Sequence, residues 1–254
     1  SRLTISDAHD YAQVFINGEF AGKIDRVKNE KNIMLPPVKA GDNLDILVEA
    51  MGRINFGRAI KDYKGITGDV TIATTEGQHD VTYNLKDWTI GLVPDDVDTL
   101  ATQSRKPYAE LRSHLNVRNG DKEPSVFLGS FNLSKVGDTF INMENFGKGQ
   151  VYVNGHALGR FWRIGPQQTL YCPGCWLRKG KNDIMVLDVA GTAKPVLWGQ
   201  DKPELDKLQL EKTNLHNNIG DKPDLNSRTP AFSGALQSGN GWQTIRFDKP
   251  QQGR

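Results

Sequence analysis

The sequence predicts an all-β protein built as two β-sandwiches in tandem, and three observations carry this. Short apolar runs recur at sandwich-strand spacing, with Gly and Pro between them. Helical periodicity is poor nearly everywhere. Finally, one pattern is written twice. Val14-Phe15-Ile16-Asn17-Gly18-Glu19-Phe20-Ala21-Gly22-Lys23 returns as Val151-Tyr152-Val153-Asn154-Gly155-His156-Ala157-Leu158-Gly159-Arg160. Each copy is followed by a second matching piece, Gly41 to Glu49 in the first and Gly180 to Asp188 in the second. Two copies this far apart indicate two domains of one design, because solenoid periods are shorter.

Taken in order, Leu3 to Ile5, Ala12 to Ile16, Leu44 to Glu49, Gly68 to Ala73 and Val81 to Leu85 read as strands. In the second copy Val126 to Leu128, Thr139 to Met143, Gln150 to Val153, Thr169 to Tyr171 and Ile184 to Val189 do the same. Asn17-Gly18 and Asn154-Gly155 lie between apolar runs, where a two-residue hairpin turn needs positive φ at both positions. Asp95 to Gln103 and Tyr108 to Leu115 read as short helical turns. The expected division is a first sandwich over 1–94, a linker over 95–124 and a second sandwich over 125–199. Residues 200–254 read as a linker, or a wrapping segment, followed by an incomplete third β element.

The 254 residues carry 32 basic and 30 acidic side chains, a net charge of +2. So small an excess, scattered along the chain, argues against nucleic acid or an anionic membrane as partner. No apolar stretch approaches the length of a membrane span. The chain opens at Ser1 inside what reads as a strand, with no signal peptide, as expected of a piece of something longer.

Chemistry is sparse. Cys172-Pro173-Gly174-Cys175 lacks the strand-to-helix setting of a redox motif and the second pair of a zinc site, so it reads as a turn. Glu49, Asp62, Glu144 and Asp188 are carboxylate candidates by residue type alone, and Glu49 and Asp188 share a repeat position that points to a structural role. His9, His79, His114, His156 and His216 are scattered and read as surface or turn residues. No catalytic residue, metal or cofactor is expected.

The unusual segment is Met51-Gly52-Arg53-Ile54-Asn55-Phe56-Gly57, since its counterpart in the second copy, Ala190-Gly191-Thr192-Ala193-Lys194, is ordinary. An Arg, an Asn and an aromatic between two glycines suit a sugar, whose hydroxyls take amide and guanidinium partners and whose C–H face stacks on a ring. The competing reading is a buried Arg-Asn network that pins a strand crossover, with Phe56 as a core plug. Spacing alone favours that second reading.

That segment, with Lys64-Gly65-Ile66-Thr67-Gly68-Asp69-Val70, Asp87-Trp88-Thr89-Ile90 and Ala12 to Gly18, resembles the first β-domain of the glycoside hydrolase family 35 β-galactosidases. Asp138 to Ile141, Gly147 to Gly155, Leu158 to Trp162, Gly165 to Tyr171 and Pro173 to Leu177 resemble that family's last β-domain. The resemblance implies jelly-roll, galactose-binding-like sandwiches from the C-terminal part of such an enzyme, the first of them N-terminally truncated and lacking an early strand because the match begins partway into that domain. It implies as partners a catalytic (β/α)₈ barrel, to which nothing in this chain is similar, and a terminal β-galactoside. It implies that Phe56, Arg53 and Asn55 help shape the galactose site of that barrel, and that such an enzyme is periplasmic or extracellular. Family members often have Asp-Arg-Ala where this chain has Asp10-Tyr11-Ala12, so no ion pair is expected from position 11. The loop aromatic, commonly Tyr, is Phe56 here, which keeps the stacking face and loses a hydroxyl. The tail, at Phe232 to Ala235 and Gly241 to Phe247, resembles the start of a discoidin-like sandwich. An autonomous carbohydrate-binding module is the alternative, motivated by Trp162, Trp176 and Trp242; scaffold packing is the plainer role for the first two.

Overall fold

The computed structural model describes residues 1–55, 60–93, 96–100 and 124–209, together with the backbone of a two-residue strand at 245–246. They fall into two compact units, Ser1–Leu92 and one that opens at Val93.

In the first unit the strands are β1 (Arg2–Ile5), β2 (Ala8–His9), β3 (Tyr11–Ile16), β4 (Glu19–Asp25), β5 (Asn32–Met34), β6 (Leu44–Glu49), β7 (Gly65–Ile66), β8 (Val70–Glu76) and β9 (His79–Asn84). They form antiparallel sheets in the orders β5-β1-β8-β9 and β4-β3-β6, plus the short pair β2-β7. Leu3, Ile5, Val14, Ile24 and Val70 pack into one apolar core between the sheets. Strand alternation drives this: on β1, Leu3 and Ile5 point inward while Arg2 stays outside.

The second unit holds β10 (Ser125–Leu133), β11 (Thr139–Asn142), β12 (Lys148–Val153), β13 (His156–Trp162), β14 (Thr169–Cys172), β15 (Gly180–Asp188), β16 (Val196–Gln200) and β17 (Ile245–Arg246). Its sheets run β10-β15-β12-β13 and β14-β11-β16-β17. Phe146 is fully buried at their centre, edge-on to Phe127 at 5.6 Å and to Phe161 at 6.0 Å. β10 is longer than the apolar run Val126 to Leu128 indicates. Phe127, Phe131 and Leu133 keep the period-2 burial going through Ser130 and Asn132, and the strand pairs with β15 along its whole length.

The duplicated sequence corresponds to a duplicated structure, and its two pieces lie side by side. The first piece forms the hairpins β3–β4 and β12–β13; the second forms β6 and β15, each paired to the first strand of its hairpin. Both turns carry the expected positive φ, 51° and 81° at Asn17-Gly18 and 48° and 86° at Asn154-Gly155. Each turn Asn also bonds across to the second piece. Asn17 Oδ1 accepts from the Asn43 amide and Asn154 Oδ1 from the Asp183 amide, both at 2.9 Å. Matching register shifts sit at Val14/Phe15 and Val151/Tyr152.

Residues 97–100 are helical, with the Asp96 carboxylate accepting from the Thr99 amide at 2.7 Å and Leu100 packed against Tyr152 and Met185. The expected turn at Tyr108 to Leu115 lies outside the described residues. Residues 201–209 wrap onto the second unit through Gln168 N to Glu204 O (2.8 Å) and Gln209 N to Ile164 O (2.9 Å), and β17 adds to the edge of β16. Among the described residues no helix is long and apolar enough to cross a membrane.

Candidate functional site

β6 delivers the chain from its end at Glu49 into the segment that differs between the copies. Met51 and Ile54 are half-buried, whereas Gly52, Arg53 and Asn55 are exposed. Phe56 and Gly57 lie outside the described residues. The buried Arg-Asn network that spacing favours is therefore not how this loop is held: the guanidinium and the amide both face solvent. Gly52 also has open space where a side chain would stand, so close packing does not require it.

The pinning is done instead by charges that sequence reasoning did not assemble. The Asp10 carboxylate accepts from Arg26 Nη1 and from Lys64 Nζ, both at 2.6 Å. Asp62 takes a bidentate pair from Arg26, at 3.1 and 2.9 Å, and lies 2.7 Å from Lys64 Nζ. Arg26 comes from the short 3₁₀ turn Arg26–Lys28, whose first turn is capped by Asp25 Oδ1 on the Val27 amide at 3.0 Å. His9 corrects the reading of surface histidines. Its ring is almost enclosed, with Nε2 at 2.9 Å from Asp7 Oδ1 and Nδ1 facing the Tyr63 carbonyl and, at 3.3 Å, Asp62 Oδ1. Thr67 closes the cluster by donating to Asp7.

These contacts set the electrostatics. Hydrogen bonds from Arg26 and then Lys64 hold the Asp62 carboxyl well below the usual carboxylate range. Burial pushes the Asp10 carboxyl up, but Lys64 and Arg26 together outweigh it and leave it low. Arg26 and Lys64 occupy the lone pairs a metal would need. Among the described residues no group of three or more His, Cys, Asp or Glu is arranged to hold one.

In the second unit the start of the equivalent segment is packed, with Gly191 and Thr192 buried, whereas Ala193 and Lys194 are exposed. Asp188 is fully buried and its carboxylate accepts four backbone N–H groups, from Gly147 (2.8 Å), Lys148 (3.2 Å), Ala190 (2.9 Å) and Gly191 (3.0 Å). Burial pushes its carboxyl above the ordinary value, and the four amides offset only part of that. Thr192 donates to the Asn145 carbonyl. Glu144 is taken up by Lys207 at 2.8 Å. Trp162 lies under Lys148 Nζ, 4.3 Å from the ring centre, and Trp176 stacks on His156 at 4.7 Å. Both rings are half-buried and used within the unit, whereas Trp242 lies outside the described residues. Cys172 is buried, with its thiol pushed up to about 12 mainly by desolvation; Cys175 is exposed, and both are free.

Fold and loop together define a tandem β-sandwich region with an exposed polar segment at Gly52, Arg53 and Asn55. Comparison with known proteins gives the class a family. Residues 1–88 match the model of the β-galactosidase first all-beta domain, and residues 124–182 match that of the β-galactosidase galactose-binding domain. Human β-galactosidase-1-like protein 2 is 34% identical over 214 residues, covering 84% of this chain and 31% of that protein. Mouse β-galactosidase is 34% identical over 195 residues, covering 71% and 28%, and β-galactosidase 17 of Arabidopsis thaliana is 32% identical over 212, covering 74% and 29%. The chain belongs to the glycoside hydrolase family 35 β-galactosidases, as their C-terminal β-domain region, and spans less than a third of the length of these relatives.

Proposed function

We propose that this chain is the non-catalytic β-sandwich region of an enzyme that hydrolyses terminal β-galactosides. The sandwiches buttress the catalytic barrel, and the Met51 to Gly57 loop contributes to its galactose site. In this reading Arg53 and Asn55 supply hydrogen bonds and Phe56 a stacking face. The bonds that are made and broken belong to the barrel's carboxylates.

One observation carries the reading: the difference between the copies. Where the second copy buries Gly191 and Thr192 and spends the Ala190 and Gly191 amides on Asp188, the first leaves the matching Gly52 and Arg53 exposed, with Asn55 exposed beside them. A duplicated scaffold that keeps one polar loop open, on a stem clamped by charges, is arranged for a ligand rather than for its own core. The chain alone is accordingly inactive. Purified and assayed on a chromogenic β-galactoside, it gives no turnover above blank; turnover that survives repurification overturns this.

The match to a galactose-binding domain model favours a second reading, an autonomous carbohydrate-binding module. The internal use of Trp162 and Trp176 weighs against it. Calorimetric titration of the chain with galactose and galactan oligomers separates the two, since only the module predicts saturable binding.

A further inference from the structure

The open loop is closed at its base by a single residue that touches both stems. The Asp10 amide donates to the Glu49 carbonyl at 3.2 Å, where the chain leaves β6. The Asp10 carboxylate meets Lys64 on the returning stem. Arg26 then bridges Asp10 to Asp62, two residues before Lys64. His9 completes the arrangement. Both ring nitrogens face oxygens that only accept, in Asp7, Asp62 and the Tyr63 carbonyl. The ring thus ties the β2 end of the cluster to Asp7 and to the returning stem. Two cations, Arg26 and Lys64, are shared between two carboxylates, Asp10 and Asp62. The adjoining ladder of β2 and β7 is only two residues long and cannot fix the stems by itself.

We propose that Asp10, Arg26, Asp62 and Lys64, with His9 behind them, are positioning residues for the loop: they hold its two stems together and so present Arg53 and Asn55 in one place. The clamp stands on the contacts above, and its role in the reaction rests on the galactose-site reading. Closing a loop costs entropy that the stems must supply, and charge-assisted hydrogen bonds at 2.6–2.9 Å are the strong way to supply it.

The test has two arms. In the 254-residue chain, limited trypsinolysis reads opening of the loop by cleavage after Arg53 and Lys64, with cleavage after Lys23 in β4 as control. Asp62→Ala speeds cleavage in the loop about tenfold and leaves cleavage after Lys23 unchanged, and Asp62→Glu restores the wild-type rate. If Asp62→Ala does not fold, Asp62→Asn keeps the shape and removes the charge. Unchanged loop cleavage, or an equal rise after Lys23, overturns the clamp. In a full-length family enzyme with these domains in place, Asp62→Ala raises KM for a β-galactoside about tenfold with a smaller change in kcat, and Asp62→Glu rescues it. Faster cleavage with an unchanged KM overturns the galactose-site reading and with it the positioning role.

Discussion

At the scale of single residues the two units handle buried carboxylates in opposite ways. Asp62 and Asp10 are held below the carboxylate range by cations, so their contribution to stability is present above the unfolded pKa, about 4, and lost as pH falls below it. The urea midpoint of the first unit is expected to drop as pH falls below about 4, and Asp62→Asn should flatten that drop; an equally steep drop in the variant contradicts the assignment. Asp188 has no cation and relies on four amides. Asp188→Asn turns a donor toward one of them and is expected to cost about 2–4 kcal/mol, read as a lower urea midpoint of the second unit. Little of this was legible in the sequence. Asp10, Arg26, Asp62 and Lys64 share no periodicity, and the pairs that join Asp10 to Arg26 and to Lys64, sixteen and fifty-four positions apart, leave no local signal. The partners of Asp10, Arg26 and Lys64, are set by which turn and stem fold over it, not by its neighbour in sequence.

At the scale of elements the repeat was legible, and its purpose is now physical. Asn-Gly predicted both hairpins because the turn geometry demands it, and the matching second pieces predicted strands that lie beside them. The sequence does not display that each turn Asn is also a cross-strand tie. Asn154 donates to the Trp176 carbonyl and Asn182 Oδ1 and accepts from the Asp183 amide, so Asn154→Ala is expected to cost about 1–3 kcal/mol in chemical denaturation. Gly149 is stricter. A Cβ there would stand 1.8 Å from the Leu187 carbonyl oxygen, inside the β12–β15 ladder, so Gly149→Ala should leave the second unit unfolded by near-ultraviolet dichroism; a native spectrum contradicts that packing. The limit of β10 was missed because apolar runs were counted, while the strand continues through alternating polar residues.

At the scale of the whole molecule, acid separates the units. Lowering pH removes stability at Asp10 and Asp62 in the first, whereas the raised pKa of Asp188 makes the folded second unit the tighter proton binder at that group. Two calorimetric transitions are expected to move apart below about pH 5, with the first unit melting earlier. Family membership was legible from ordered motifs along both copies, but what a duplicated sandwich does was not, because the duplicated residues form matching hairpins and strands. The account turns on the Met51 to Gly57 loop. The direct measurement is steady-state kinetics on a β-galactoside with Arg53→Ala and Asn55→Ala in a full-length family enzyme carrying these domains. A kcat/KM lowered about tenfold or more, mainly through KM, with both melting transitions unchanged, is the predicted result. Kinetics identical to the unmodified enzyme would contradict it and leave both sandwiches as scaffold alone.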